Sequence, residues 1–486
     1  MNPARPTDRS LIRGAAWAAV LALGLMAGCA VGPDYKRPAV SAVMPAAYAG
    51  ATNAEWKIAE PQAQLPKGHW WEMFHDQDLD RLETLAIATN QELVASLARF
   101  EEARASADAT RAGLFPHLSL SPSATRQRVS RNSHGTISTT ELTYDDFLVP
   151  LDMSYEVDLW GSVRRGLEAA RAQQQANADD WETTRLSIEA EVATDYFTLR
   201  ALDAETALLR SDIEVFSKSL DLTQNRRSGG VASDLDVAQA ETVLKTTQAE
   251  LPAAELQRAQ FEHALAVLTG QPAPGFSVPR RPLTTAPPLI PPGLPSELLE
   301  RRPDISAAER LMAAANANIG VAKAAFFPTI QLNGMAGFES INAGTVFHWS
   351  SRLWSLGPSL TLPLFDAGLN SANLRLARAT YDEMVANYRQ TVLTAFGEVE
   401  DNLAAQNLLA AEYEAQLAAL DAARKQLDVA NNRYRAGLTT FLDVATAENT
   451  ALDVERTAVE LRGQQLVSAV ALVKALGGGW QAPKEQ

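Results

Sequence analysis

Cysteine is almost missing: Cys29 is the single thiol in 486 residues. One thiol can form neither a disulfide nor a cysteine-ligated metal site within the chain. Histidine is nearly as scarce, and the six present (His69, His75, His117, His134, His263 and His348) show no metal-ligand spacing. No nucleophile motif or phosphate-binding glycine loop stands out, which argues against an enzyme and calls for no cofactor or metal. His69 and His75 flank aromatic residues and are read as packed or solvated groups. Positive charge is short as well: 43 Lys and Arg against 58 Asp and Glu leave a net charge of -15. That balance excludes a nucleic-acid partner, because phosphate binding needs a basic surface. The cluster Arg126, Arg128 and Arg131 is too short to reverse it. Proline is absent between Pro150 and Pro252 and again between Pro363 and Pro483. These stretches contain little else that would break a helix.

The N-terminus reads as an export signal. Arg5, Arg9 and Arg13 precede the apolar run "GAAWAAVLALGLMAG" from Gly14 to Gly28, and Cys29 follows. The run falls short of the roughly 20 residues that a membrane-spanning helix needs. "LMAGC" resembles a bacterial lipobox, with Met26 where Leu is usual. The expectation is cleavage after residue 28 and acylation of Cys29. Removing a net +2 with the signal takes the mature charge from -15 to -17.

What is present in abundance is repetition. "NRRSGGVASDLDVAQAE" from Asn225 returns as "NRYRAGLTTFLDVATAE" from Asn432. Asp236 and Asp443 are 207 residues apart, as are Gly161 and Gly368. "AGLFPHLSL" from Ala112 likewise returns as "AAFFPTIQL" from Ala324. The expected divisions are 1–28 (signal peptide), 29–75 (lipidated, extended N-terminal segment), 76–270 (first repeat), 271–295 (Pro-rich connector), 296–476 (second repeat) and 477–486 (C-terminal tail).

Each repeat predicts the same order. A helix (about 78–112 in the first, 296–325 with a reset at Pro303 in the second) is stopped by Phe-Pro at Pro116 or Pro328. A strand follows, "HLSLSPSATRQRV" or "TIQLNGMAGFES", then a polar loop and a return strand. The first return strand, "LDMSYEVDL", alternates Leu151, Met153, Tyr155, Val157 and Leu159 with Asp152, Ser154, Glu156 and Asp158. Such alternation belongs to a strand between two solvents. In the second hairpin Ile330, Leu332, Gly334, Ala336 and Phe338 share a face. From Gly161 and from Gly368 the period changes to that of a helix of about 70 residues, on the order of 100 Å. Only coiled-coil packing keeps such a helix ordered in water. "RSGGVAS" and "RAGLTT" then reverse the chain into a second helix.

A strand with a lipid face and a water face, continuous with so long a helix, predicts a transmembrane β-barrel extended by a helical tube. Open strands are stable in lipid only as closed barrels, and four strands per chain close no channel, so the barrel is expected to be shared between subunits. Asp152, Ser154, Glu156 and Asp158 are the expected lumen residues. Trp349, Trp354, Phe347 and Tyr155 are candidates for the interfacial girdle.

Five stretches stand out together and in order: "CAVGPDYKRP" from Cys29, "WWEMFHDQDLDRL" from Trp70, "LPSELLERRPDI" from Leu294 with "AAFFP" after it, "PSLTLPLFDAG" from Pro358 and "NRYRAGLTTFLDV". In these the chain resembles the TolC-type outer membrane efflux proteins, in the lipoprotein branch that serves resistance-nodulation-division pumps. The resemblance implies a mixed α/β membrane protein: a homotrimer with a twelve-stranded barrel, four strands per chain, continuous with a periplasmic α-helical barrel that tapers to a closed tip. It implies an exit duct for small molecules, joined to an inner-membrane RND-type pump by a periplasmic adaptor, and set in outer-membrane lipid. A duct for secreted protein in a type I system is the alternative with the same architecture. A lipid-tethered coiled-coil scaffold is disfavoured by the alternating strands.

Two sets of tip residues follow. The reversals are expected to dock the adaptor through Arg226, Gly230, Arg433, Tyr434, Arg435 and Gly437, where Gly leaves a bare left-handed turn. Leu235, Asp236, Leu442 and Asp443 are expected to close the periplasmic gate, three copies of each converging in a trimer. "SDLD" from Ser233 and "TFLD" from Thr440 also read as capping boxes. The further acidic residue common in the family, three positions past each Leu-Asp, is Gln239 or Thr446 here.

Overall fold

The computed structural model describes residues 30–36, 68–130, 143–288, 290 and 301–478. The expected signal, Cys29, His134, Arg131 and the end of the tail lie outside them. The described residues fall into two compact units: 30–36, 100–130, 143–176 and 308–388 in one, and 68–99, 177–288, 290, 301–307 and 389–478 in the other.

In chain order the main elements are α1 (Gln77–Thr89), α2 (Gln91–Ala112), β1 (His117–Leu120), β2 (Ser123–Arg128), β3 (Thr143–Glu156), α3 (Ser162–Ser228), α4 (Asp234–Leu268), α5 (Pro303–Ala324), β4 (Thr329–Ser340), β5 (Arg352–Thr361), α6 (Leu369–Arg435) and α7 (Phe441–Ala475). The corresponding helices match in length: α3 and α6 have 67 residues each, α4 and α7 have 35 each.

Three boundaries differ from expectation. The helix expected over 78–112 is broken at Asn90, whose extended backbone ends α1 and whose side-chain oxygen accepts from the backbone N–H groups of Glu92 (2.8 Å) and Leu93 (3.1 Å) to start α2. The first strand comes in two pieces, β1 and β2, separated by Ser121 and Pro122, because proline offers no N–H to the ladder. The return strand stops at Glu156, so Val157, Asp158 and Leu159 lie past it. Asp158 is a helix cap: its carboxylate accepts from the backbone N–H groups of Val163 (3.2 Å) and Arg164 (2.9 Å), and pairs with the Arg164 guanidinium at 3.2 Å. Asp366 does the same before α6, accepting from Gly368 (2.9 Å) and Asn370 (3.0 Å). Gly161 and Gly368, the glycines that mark the change of period, take φ of 82° and 88°.

The sheet is antiparallel throughout, in the order β1-β3-β4-β5, with β2 also paired to β3. In the second unit the core is built from Trp70, Trp71, Phe74 and Leu82 against Tyr196, Phe197 and Leu199 of α3 and Leu466 and Val470 of α7. An ion network ties the connector to this core. Arg258 donates to Asp203 (2.6 Å), Glu262 (2.9 Å) and the Val278 carbonyl (2.7 Å), and Arg200 donates to Asp78 (2.9 Å), Asp203 (3.0 Å) and the Pro279 carbonyl (2.5 Å). These charges are buried but mutually paired, which offsets the cost of removing them from water.

Among the described residues no helix is long and apolar enough to cross a membrane.

Candidate functional site

The strand register sorts the sheet into two chemically different faces. Directly opposed residues of an antiparallel pair share a face. Leu151 lies between Leu120 and Ala336, and Ala336 faces Trp354; Met153 lies between Leu118 and Gly334, and Gly334 faces Leu356. Tyr155 pairs with Leu332, which pairs with Pro358, and Ile330 pairs with Leu360. This face is apolar from the Ile330–Leu360 pair to the Ala336–Trp354 pair, and Arg352, Arg126 and Asp145 lie on it beyond that stretch. The opposite face carries Asp152 opposite Ser119, Ser154 opposite Asn333 and His117, Glu156 opposite Gln331, and Gln331 opposite Ser359; Met335, Leu353 and Leu148 are large apolar residues on it. Ser121 donates to Asp152 at 2.8 Å and Asn333 donates to Ser359 at 3.1 Å on that side.

Three of the four expected lumen residues, Asp152, Ser154 and Glu156, therefore share a polar face, and Asp158 leaves it for the helix cap. The partners Ser119, Gln331, Asn333 and Ser359 went unnamed in the sequence reading, although alternation in "TIQLNG" already singles out Gln331 and Asn333. The apolar face is uncovered in the chain: Leu118, Leu120, Trp354, Leu356 and Leu360 are each 60% exposed or more. A contiguous apolar strip of this kind is stable only against lipid or protein. Of the expected girdle residues, Trp354 lies on β5 while Trp349 starts a short 3-10 turn before it, with the Arg352 guanidinium 4.5 Å above its ring.

The second place of interest is the pair of helix reversals. Both are Schellman motifs. After α3 the Gly230 N–H donates to Arg227 (2.9 Å) and the Val231 N–H to Arg226 (2.8 Å). After α6 the Gly437 N–H donates to Tyr434 (3.0 Å) and the Leu438 N–H to Arg433 (2.9 Å). Gly230 and Gly437 take φ of 76° and 72°, the left-handed region that glycine enters without strain. A Cβ on Gly230 would meet nothing, and one on Gly437 only the end of Arg226 at 4.0 Å, so both glycines face open space.

The named tip residues divide by burial. Gly230, Gly437, Arg433 and Arg435 are exposed, and Leu235 and Leu442 are exposed apolar groups. Tyr434 is the correction: it is 4% exposed and has no surface to offer a partner. Its ring packs edge-on to Phe441 at 5.5 Å, its hydroxyl lies 3.4 Å from the Thr223 hydroxyl, and Arg226 lies over its face at 4.6 Å. Arg226 also donates to the Arg435 carbonyl at 3.2 Å. Arg226 and Tyr434 thus latch the tip of the first repeat to that of the second.

The two aspartates also divide. Asp236 completes a capping box with Ser233, accepting from its backbone N–H at 2.8 Å and its hydroxyl at 2.9 Å. Those bonds, the Ser233 N–H foremost, hold its carboxyl below the usual range, and the Phe441 N–H of the other repeat adds to them. Thr440 makes no such cap; Asp443 instead accepts from the Thr439 hydroxyl, and it lines a groove with Lys425, Val429 and Arg433.

The family profile of outer membrane efflux proteins matches this chain twice, over residues 82–271 and 294–478. The chain belongs to that family. It is 36% identical over 469 residues to the outer membrane protein OprJ of Pseudomonas aeruginosa, 95% of each chain being covered. It is 34% identical over 462 residues to the toluene efflux pump outer membrane protein TtgC of Pseudomonas putida, 94% of each chain being covered. Its fold matches the solved outer-membrane channel OprN with a TM-score of 0.84 at 32% identity, over 93% of this chain and 100% of that one. This outer membrane efflux protein is accordingly a channel component of an efflux pump, located in the outer membrane.

Proposed function

We propose that this efflux protein is the exit duct of a tripartite system exporting small molecules, and that it performs no catalysis of its own. Three copies close a twelve-stranded barrel from four strand positions per chain, with α3, α4, α6 and α7 of each copy forming the periplasmic tube. The single observation that carries the reading is the register of the sheet. It puts Leu151, Met153, Tyr155, Trp354, Leu356 and Leu360 on one face and Asp152, Ser154 and Glu156 on the other, which suits a wall between lipid and water.

The same reading assigns the remaining parts. Cys29 carries the lipid anchor, with residues 1–28 removed, and the chain divides as the repeat suggests. A periplasmic adaptor seats on the bare turns at Gly230 and Gly437 with Arg433 and Arg435 around them, and an inner-membrane RND-type pump delivers the cargo. Leu235, Leu442 and Asp443 close the resting tip; Asp236 acts mainly on its own helix and on the latch. Relatives named for toluene, antibiotic and solvent efflux support cargo of the small-molecule class.

Purified protein in planar bilayers tests the proposal. A detergent-soluble trimer that conducts ions is expected, together with restored resistance to solvents or antibiotics in a host lacking its own duct. A monomer without conductance would refute it.

A further inference from the structure

Residues 30–36, "AVGPDYK", are fastened almost one by one, and the fastenings come from both repeats. The Val31 N–H donates to the Trp160 carbonyl at 2.9 Å. Gly32, at φ 120°, crosses the backbone of α5 so closely that a Cβ on it would lie 2.6 Å from the Gly320 Cα. Gly320 is closed in turn, since its own Cβ would meet the Arg165 Cγ at 2.9 Å and the Val31 carbonyl oxygen at 3.0 Å. The Pro33 carbonyl accepts from Asn316 at 3.0 Å, Asp34 pairs with the buried Arg165 at 2.8 Å, and the Tyr35 hydroxyl donates to Glu309 at 2.5 Å. Tyr35 packs on Ala172 of α3 and on Ala313 and Ala314 of α5. Glu309, Asn316 and Gly320 are spaced seven and four apart, which sets them along one stripe of α5.

The top of this seat lies where strand becomes helix. Ala30 is in contact with Gly161, whose Cβ would stand 2.9 Å from the Ala30 Cα. The neighbouring Trp160 stacks on Phe327 with centroids 4.7 Å apart and donates its indole N–H to the Pro328 carbonyl at 2.8 Å. An aromatic pair with an apolar body and a satisfied polar tip suits the boundary between lipid and water.

We propose that residues 30–36 are a strap whose seat holds the chain's lipid-bearing end at the strand-helix junction, so that the acyl anchor and the sheet enter the same leaflet at one fixed depth. The inference rests on the channel reading and on Cys29, the residue bonded to Ala30, as the acylated position. A lone acyl group holds a protein weakly, and tying it to a body already in the membrane makes the two attachments act together. The strap also joins α3 of the first repeat to α5 of the second just below the sheet.

Two full-length variants test the seat. Gly320→Leu fills the crossing point, and Asp34→Asn/Tyr35→Phe loosens the strap while leaving α3 and α5 unaltered. Trypsin is expected to cut after Lys36 roughly ten-fold faster in both variants than in the parent protein, because cleavage tracks local opening. Depth is read in vesicles with a nitroxide on Ala30→Cys in a Cys29→Ser chain exported behind a signal that is cut before residue 29 without acylation, so that neither an acyl group nor an uncut signal holds the label down. The label is expected to collide preferentially with oxygen, as at a lipid boundary, and to shift toward a water-soluble nickel complex when Gly320→Leu is added. Unchanged trypsin rates in both variants, or a label already in water without Gly320→Leu, would overturn the strap. Protein that fails to insert at all would overturn the channel reading, and this inference with it.

Discussion

Glu448 of α7 is a carboxyl group in a place that resists its charge. It is 2% exposed, its Oε2 has no partner, and Asp212 of α3 adds a second negative charge nearby. Burial first and Asp212 second push its pKa up to about 7, against a hydrogen bond from Ser219 that pulls it down. The unfolded chain releases this proton near 4.5. Between those values the native state binds more protons than the unfolded state, so stability falls as pH rises from about 4.5 to about 7 and is flat outside that window. A difference of about 2.5 units at about 1.36 kcal/mol each makes the loss about 3 kcal/mol per chain. Glu448→Gln keeps the shape and removes the titration. The variant should match wild type near pH 4.5 in thermal or denaturant unfolding and exceed it at pH 8 by up to about 3 kcal/mol. Asp212, itself raised to about 6 by burial and then by Glu455, should soften the wild-type profile but remain in both proteins. Parallel pH profiles for wild type and Glu448→Gln would refute the assignment.

The sheet faces predict that Leu151→Arg, on the lipid side, costs about 2–4 kcal/mol and lowers the yield of assembled protein, whereas Ser154→Arg leaves yield intact and changes single-channel conductance. Gly337→Ala should destabilise the sheet by about 1–3 kcal/mol, since the new Cβ would lie 2.2 Å from the Val149 carbonyl oxygen, backbone that cannot swing aside; thermal unfolding of the variant measures this. Gly437→Trp should abolish efflux complementation with bilayer conductance retained, because the open space at that turn is where the adaptor is proposed to sit. Asp236→Ala should cost about 0.5–2 kcal/mol as a lost cap, while Asp443→Ala should raise resting conductance with little change in melting; equal resting conductance in all three proteins would remove Asp443 from the gate.

Where a single local rule governs, the sequence was readable. Alternation at Leu151 to Glu156 specified both faces, and Gly161, Gly368, Gly230 and Gly437 marked the ends of the two long helices, each at positive φ. The misreadings arose where a second rule competed. Asp158 fits the alternation of a strand and the capping of a helix equally well, and the backbone N–H groups of Val163 and Arg164, five and six residues on, decide for the cap. Asn90 hides a break in a helical pattern because its own side chain replaces the backbone partners lost there. Tyr434 looked like surface because its partners Arg226 and Thr223 lie more than 200 positions away, a pairing that no window of sequence contains. Residues 30–36 read as an extended segment, and their seat depends on Gly320, a glycine inside a helix whose reason is visible only from the backbone that crosses it.

The two tips were written as copies, yet they are not held alike, and the difference bears on which one can move. In the first repeat Ser233 and Asp236 bond each other both ways, so the start of α4 carries its own lock. In the second, Thr440 has the backbone of a cap but makes no cap bond, and Asp443 is engaged only from the preceding loop through Thr439. A capping interaction is worth about 1 kcal/mol, and a reversal that lacks it frays more readily. The latch from Arg226 to the Tyr434 ring and the Arg435 carbonyl then supplies from the first tip what the second lacks. Under the proposed gate, opening therefore begins at the α6–α7 turn and requires Arg226 to release it, a step favoured by any adaptor surface that offers the guanidinium a carboxylate in exchange.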